Sequence, residues 1–186
     1  MRWEGVYVTA AAQEGLFTAK QAADAGTSAQ LLNHYVRTGK ATRVQRGVYR
    51  LVHFPPGEHE ELVAAWLWSD MAGVVSHQSA LALHELSDAL PARIHLTLPA
   101  LWRHRRFRVP PAVVLHHADV SRADRAWFGA VPTTNARRTL NDCATDGLAP
   151  DLLRQAAQQA LRRGLVARRE LADVDVALAP FGGLDA

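Results

Sequence analysis

Residues 27–51 read TSAQLLNHYVRTGKATRVQRGVYRL, and this stretch decides the fold of the N-terminal part of the chain. Ser28 is a favourable N-cap for a helix that runs to about Thr38, and Gly39 is placed to end that helix. Apolar and polar side chains separate at helical spacing. The apolar face carries Leu31, Leu32, Tyr35 and Val36. The opposite, polar face is therefore available to a partner.

A second local pattern follows at once. Residues 42–44 and 48–51 flank a short turn, and Gly47 supplies the positive φ that a tight β-hairpin demands. Upstream, Thr18 is a good N-cap for a short helix over residues 19–24. Two short helices joined through a glycine-containing turn and followed by a basic hairpin predict a winged helix-turn-helix.

Charge is distributed unevenly along the sequence. Residues 1–52 contain seven Lys or Arg side chains and three carboxylates, and no Asp or Glu occurs between Asp24 and Glu58. Such a stretch suits a polyanionic partner, because a carboxylate there would repel phosphates. The alternative is a chance gap in an arginine-rich protein.

These patterns define two sets of candidate DNA contacts. Polar side chains on the predicted recognition helix can hydrogen-bond base edges in the major groove, and basic residues of the wing can reach the backbone or minor groove. The base-reading candidates are Ser28, Gln30, Asn33, His34 and Arg37. The backbone and wing candidates are Lys40, Arg43, Gln45, Arg46 and Arg50. The competing interpretation is an ordinary solvated helix face.

The remaining chain predicts a second domain of mixed α+β structure. Pro55-Pro56-Gly57 favours a boundary between residues 1–54 and 55–186. Strand-like patterns at 94–98 and 113–117 stand among helical runs, and Ser76 is placed to cap a helix. We predict an α+β protein in which the winged helix-turn-helix is followed by this domain.

Composition and motifs exclude several classes of protein. The opening residues do not resemble a signal peptide, no stretch is long enough to span a membrane, and Cys143 is the only cysteine. We therefore expect a reduced, cytoplasmic protein without a membrane partner. No two histidines close in sequence have metal-ligand spacing, and no catalytic motif surrounds Ser76. We expect no metal, no cofactor and no enzymatic activity.

A second basic cluster lies in a predicted loop. It consists of Arg103, Arg105, Arg106 and Arg108, next to Trp102. Its function is either a further contact with nucleic acid or an acidic protein, or simply solvation of the loop.

Four segments in order resemble one family. They are LFTAKQAA at 16–23, RVQRGVYRL at 43–51, SHQSAL at 76–81 and TNARRTLND at 134–142. The chain resembles the AbiEi-type antitoxins of type IV toxin–antitoxin systems over roughly residues 5–165. The resemblance implies a winged-helix repressor that binds inverted repeats near its own promoter. It also implies a nucleotidyltransferase-like toxin, opposed without a stable complex.

One alternative belongs to another class of function. The chain could be a protein-interaction module that counteracts a toxin or another partner by direct contact, without binding DNA. Salt-sensitive DNA binding discriminates the two hypotheses.

Overall fold

The computed structural model describes residues 2–88, 90–106 and 108–185, and it divides into two compact units. The first unit comprises residues 1–72 and 129–131, and the second comprises residues 73–128 and 132–186. The helix Glu60–Trp68 thus shares a unit with the N-terminal segment. The predicted domain boundary after residue 54 stays a prediction.

The first unit places a three-stranded antiparallel sheet beside four helices. Its elements are α1 (Arg2–Ala11), β1 (Leu16–Thr18), α2 (Ala19–Asp24), α3 (Ala29–Arg37), β2 (Ala41–Gln45), β3 (Val48–Leu51) and α4 (Glu60–Trp68). The strand order is β1-β3-β2. The first helix ends at Ala11, where the chain turns and reaches Gly15 at a φ of +82°.

Local signals in this unit fix the helix starts as predicted. The Thr18 hydroxyl accepts a hydrogen bond from the Gln21 backbone N–H, while the Gln21 side chain accepts one from the Thr18 N–H. The Ser28 hydroxyl accepts from the Leu31 N–H at 3.2 Å. Both caps satisfy backbone donors that a helix start leaves unpaired.

The core of the first unit forms where these helices meet the sheet. It contains the fully buried Phe17, with Val6, Ala10, Ala22, Leu32, Ala41 and Leu51. The amphipathic pattern of α3 therefore acts as predicted, since Leu32 and Tyr35 are buried on one face.

The second unit combines a mixed five-stranded sheet with four helices. Its elements are β4 (Val74–Val75), α5 (His77–Leu83), β5 (Ile94–Leu98), β6 (Val113–His117), β7 (Arg125–Phe128), β8 (Val131–Thr134), α6 (Ala136–Thr145), α7 (Pro150–Arg162) and α8 (Ala172–Leu178). The strand order is β6-β5-β4-β8-β7. Strand β5 pairs antiparallel with β4 and parallel with β6.

Helices α5 to α8 enclose the core of the second unit. Leu81, Leu140, Leu153, Ala156 and Leu178 are fully buried members of one apolar cluster. The apolar stripes of α6 and α7 supply a large part of this cluster, as their helical spacing requires.

One local prediction in this unit is wrong. Ser76 does not cap α5 through its side chain; its hydroxyl contacts His77 and Thr97 instead. Asn135 caps α6 by accepting a hydrogen bond from the Arg138 N–H. Strands β7 and β8 are joined by a short turn, and Pro132 lies inside β8.

The structure confirms the predicted α+β class, with helices and a small sheet at the N-terminus and a larger sheet after them. Among the helices in the described part of the chain, none is long and apolar enough to cross a membrane.

Candidate nucleic-acid interface

The exposed face of α3 is polar. Gln30, Asn33, His34 and Arg37 are all exposed, and at 3.6 residues per turn they span about 100° of the helix circumference. The buried Leu32 lies on the opposite side. Four side chains with donors and acceptors thus share one accessible face of an α-helix, an element that a major groove can admit.

Ser28 has a structural role at the start of this face. Its hydroxyl oxygen accepts the Leu31 N–H, but its own hydrogen still has a direction available for an external acceptor. The side chain is exposed. Ser28 therefore remains a candidate contact in addition to its capping role.

The hairpin of β2 and β3 presents a basic tip. Arg43 and Arg46 are exposed, and Gly47 turns the chain at a φ of +79°. The Gly47 carbonyl accepts from the Ala19 N–H at 2.9 Å, which ties the tip to the start of α2. Lys20 follows Ala19 and is exposed, so it adds a cation beside the tip that the sequence analysis did not select.

Two side chains predicted to contact DNA, those of Gln45 and Arg50, form hydrogen bonds within the first unit instead. The Gln45 side-chain amide donates to the Ala64 carbonyl at 2.8 Å. The Arg50 guanidinium donates to Glu60 at 2.9 Å and to the Phe54 carbonyl at 2.9 Å. These side chains are only partly exposed, so they hold the hairpin against the rest of the unit.

Lys40 lies between the helix and the hairpin. Its ammonium is 5.4 Å from the centre of the Tyr35 ring and 6.0 Å from that of Trp3. A cation at this distance is attracted by the ring faces while it stays exposed. Lys40 therefore holds a fixed charge between the polar helix face and the hairpin.

The basic side chains of this surface are not neutralised internally. Within the described residues, none of Arg37, Lys40, Arg43 and Arg46 forms an ion pair, whereas Arg50 pairs with Glu60. We call the exposed residues Gln30, Asn33, His34, Arg37, Lys40, Arg43 and Arg46 the polar–basic surface. Its unpaired cations create the positive potential that attracts a polyanion.

The second basic cluster belongs to the other unit. Arg103, Arg105, Arg106 and Arg108 are exposed, and the Arg105 guanidinium lies 4.2 Å from the centre of the Trp102 ring. Arg103 also donates to the His117 carbonyl at 3.3 Å. The contact with Trp102 orders one arginine, and the partner of the cluster stays a prediction.

The sequence analysis missed a set of three histidines in the second unit, which we call the histidine cluster: His77, His95 and His116. One ring nitrogen from each lies within 4.8 Å of the others. They come from three different elements, so spacing within a single helix or strand could not reveal them. The alternating pattern of residues 94–98 puts His95 with Thr97 on the face opposite the apolar side chains, and this was the one available signal.

Burial and mutual contact set the protonation of the histidine cluster. Burial, followed by repulsion from His116 and His95, lowers the pKa of His77 to about 3. Burial also lowers the pKa of His95 and of His116, with nearby Asp146 opposing both shifts. His77 is therefore neutral at pH 7, and the lowered pKa of His95 and of His116 favours the neutral form of each.

Asp142 borders the same cavity as His77 and His116. Burial raises the pKa of Asp142 above its usual value, although the hydrogen bond and the charge of Arg138 oppose this shift. The Arg138 Nε donates to Asp142 Oδ1 at 2.7 Å, which confirms the ion pair that i, i+4 spacing predicts on α6.

The fold and this surface define a class of protein. The element order α1-β1-α2-α3-β2-β3, with an exposed polar third helix followed by a basic hairpin, is that of a winged helix-turn-helix. Residues 6–52 match the family model described as "Transcriptional regulator, AbiEi antitoxin". The predicted resemblance to AbiEi-type antitoxins is thereby confirmed for residues 6–52, and the rest of the chain lies outside this match.

Similarity outside that segment concerns the fold. The chain is similar to the crystal structure of the RV2827C protein from Mycobacterium tuberculosis, with a TM-score of 0.54 and 16% identity. The match covers 96% of this chain and 71% of that one. No curated protein is significantly similar to the chain in sequence.

Proposed function

We propose that the protein is a sequence-specific DNA-binding transcriptional regulator of the antitoxin type. The single observation that carries this proposal is the polar–basic surface, where an exposed polar helix face and unpaired cations occur in a segment without carboxylates. The match of residues 6–52 to a regulator family supports the same conclusion.

In this proposal α3 enters the major groove. Gln30, Asn33 and Arg37 have the donors and acceptors that read base edges, with His34 and Ser28 beside them. Asn is suited to adenine and Arg to guanine, because each can form two hydrogen bonds with that base. The helix therefore supplies the sequence specificity.

The hairpin and the segment before it supply affinity. Lys40, Arg43 and Arg46 contact phosphates or the minor groove, with Lys20 as an added candidate. Gln45 and Arg50 are left out of the proposed interface, because their side chains are held by Ala64 and Glu60. Each phosphate contact releases counterions, so binding weakens as salt rises.

The biological role follows the family resemblance. The protein represses its own promoter by binding an inverted repeat, and two copies bind the two half-sites. It opposes a nucleotidyltransferase-like toxin functionally, without a stable complex. It acts in the cytoplasm and not as an enzyme.

The test is the affinity for DNA upstream of its own gene, measured by fluorescence anisotropy over a range of salt concentrations. Arg46→Ala is expected to weaken binding to all sequences and to reduce the salt slope by about 0.9 per bound chain. Arg169→Ala is the matched control, since Arg169 is also exposed but lies in the second unit.

Two outcomes would overturn the proposal. One is wild-type protein that shows no salt-dependent binding to this DNA. The other is an Arg46→Ala protein that binds as the wild type does, with an unchanged salt slope. The first outcome, combined with co-purification of a neighbouring gene product, would favour the protein-interaction module instead.

A further inference from the structure

The histidine cluster is assembled by three adjacent strands of the second unit. His77 follows β4 at the start of α5, His95 lies on β5 and His116 lies on β6. The strands are neighbours in the order β6-β5-β4. The three imidazoles therefore meet because of the sheet topology.

The strand register places two of these histidines on one face of the sheet. Thr97 pairs with His116, and His95 lies two residues before Thr97 on the same strand. Side chains two residues apart share a face of a strand, and paired residues point to the same side. His95 Nδ1 and His116 Nε2 consequently approach to 3.0 Å.

We propose that His77, His95 and His116 bind one zinc ion. Four ligands at 2.0–2.1 Å around tetrahedral zinc lie about 3.3 Å apart. The distance of 3.0 Å between His95 Nδ1 and His116 Nε2 is already close to this ligand–ligand distance. All three ligand nitrogens lie within 4.8 Å of one another. Modest side-chain rotations complete the geometry.

The required rotation concerns His77. Its ring stacks on that of His116, with centroids 3.5 Å apart and planes at 14°, so the two rings must turn for their lone pairs to converge. Both side chains border a cavity of about 260 Å³, which gives them space to do so. His77 also has a φ of +50°, an uncommon backbone conformation that sets the position of its side chain.

A second layer of contacts orients His77. Its Nδ1 lies 2.9 Å from the Ser76 hydroxyl, which in turn accepts a hydrogen bond from Thr97 at 2.7 Å. A metal-binding histidine commonly uses its second nitrogen in such a contact, which fixes the tautomer. In the proposed site Nδ1–H of His77 donates to the Ser76 hydroxyl, which leaves the lone pair of Nε2 for the metal.

A carboxylate in the same cavity balances the charge. Arg138 holds Asp142 Oδ1, whereas Oδ2 is buried and forms no hydrogen bond within the described residues. Asp142 borders the cavity with His77 and His116. Asp142 is not among the residues whose ligand atoms lie within 4.8 Å of one another, so its free oxygen is a partner for a metal-bound water and not a direct ligand.

The ligand types select the metal. Three imidazoles favour zinc and related transition ions, whereas calcium and magnesium require oxygen ligands. Three histidines with one further position form a known kind of zinc set. Calcium and magnesium are therefore expected not to compete with zinc.

The test uses the full chain, freed of metal by dialysis and titrated with ZnCl₂ or with Co²⁺ as a spectroscopic probe. The wild type is expected to bind one equivalent and to give the visible absorption of tetrahedral Co²⁺, displaced by zinc. His95→Ala and His116→Ala are expected to weaken binding by at least about 100-fold, and Ser76→Ala by about 10- to 100-fold.

His104→Ala is the matched control, because His104 is exposed in the same unit. It is expected to keep the wild-type affinity. His116→Gln is a more conservative variant, and circular dichroism shows whether it is folded before its zinc affinity is measured. The wild-type titration tests the proposal without any variant.

Wild-type protein without a saturable, one-equivalent site would overturn the proposal. Equal zinc affinity in the wild type, His95→Ala and His116→Gln would overturn it too. Either result would make the histidine cluster a buried hydrogen-bonding group only.

Discussion

Replacing Arg50 by alanine is expected to destabilise the first unit while sparing DNA affinity. The Arg50 side chain is 18% exposed and donates to Glu60 Oε1 at 2.9 Å. It also donates to the Leu51 carbonyl at 3.1 Å and to the Phe54 carbonyl at 2.9 Å. These contacts join the hairpin to the segment that leads into α4.

The magnitude follows from these three contacts. A hydrogen bond from a charged donor contributes about 1.5–3 kcal/mol, and a partly exposed ion pair contributes up to about 1 kcal/mol. Glu60 keeps a partner after the substitution, because it also accepts from the Gly57 N–H at 3.1 Å. We therefore expect a loss of about 2–4 kcal/mol in the free energy of unfolding.

Amide hydrogen exchange resolved by peptide isolates this effect to one unit. A loss of that size increases exchange in peptides from β2 and β3 by about 30- to 900-fold, with the second unit unchanged. Arg46→Ala is the comparison, because its exposed side chain forms no ion pair within the described residues, and it is expected to leave exchange nearly unchanged.

The DNA affinities of the same two variants are then compared. At a temperature where both variants are folded, Arg50→Ala is expected to bind DNA as the wild type does, and Arg46→Ala is not. An Arg50→Ala protein with unchanged exchange and lost DNA binding would refute the structural role given to Arg50.

Three further predictions concern the helix face, the histidine cluster and the buried thiol. Asn33→Ala is expected to cost about 1–3 kcal/mol only on operators with the base pair it reads, measured by competition with base-substituted DNA; equal losses on all sequences would contradict a base-reading role. Because the pKa of His77 is about 3 when folded and near 6.5 when unfolded, the unfolded chain binds more protons between those values. Stability should then fall as pH drops below about 6.5, by about 2 kcal/mol at pH 5 from His77, as chemical denaturation can measure, and a pH-independent midpoint would contradict this. Burial raises the pKa of Cys143 to about 12, so it should react with a disulfide reagent at pH 8 only after unfolding; rapid reaction of the native protein would show that the thiol is accessible.

Short-range signals in the sequence predict the first unit well. Thr18 and Ser28 cap their helices, and Gly47 turns the hairpin, because each is decided by residues within three or four positions. In the second unit, strands 94–98 and 113–117 are also found where the sequence predicts them.

Contacts between distant segments could not be predicted in this way. Gln45 is held by a carbonyl nineteen residues away, so its place in the hairpin gave no sign of that contact. The histidine cluster joins residues 77, 95 and 116, and it requires the order of three strands to be known. Ser76 lost its expected capping role because Thr97 and His77 offer its hydroxyl nearer partners.

The most direct test of the DNA-binding surface is a map of backbone amide chemical shifts as DNA from the upstream region is added. The largest changes are expected in α3, at Lys40 and at the hairpin tip around Arg46, with β5 and α7 unaffected. Chemical-shift changes confined to residues 73–186, with no change in α3 or the hairpin, would contradict the assignment of the polar–basic surface as the DNA-binding site.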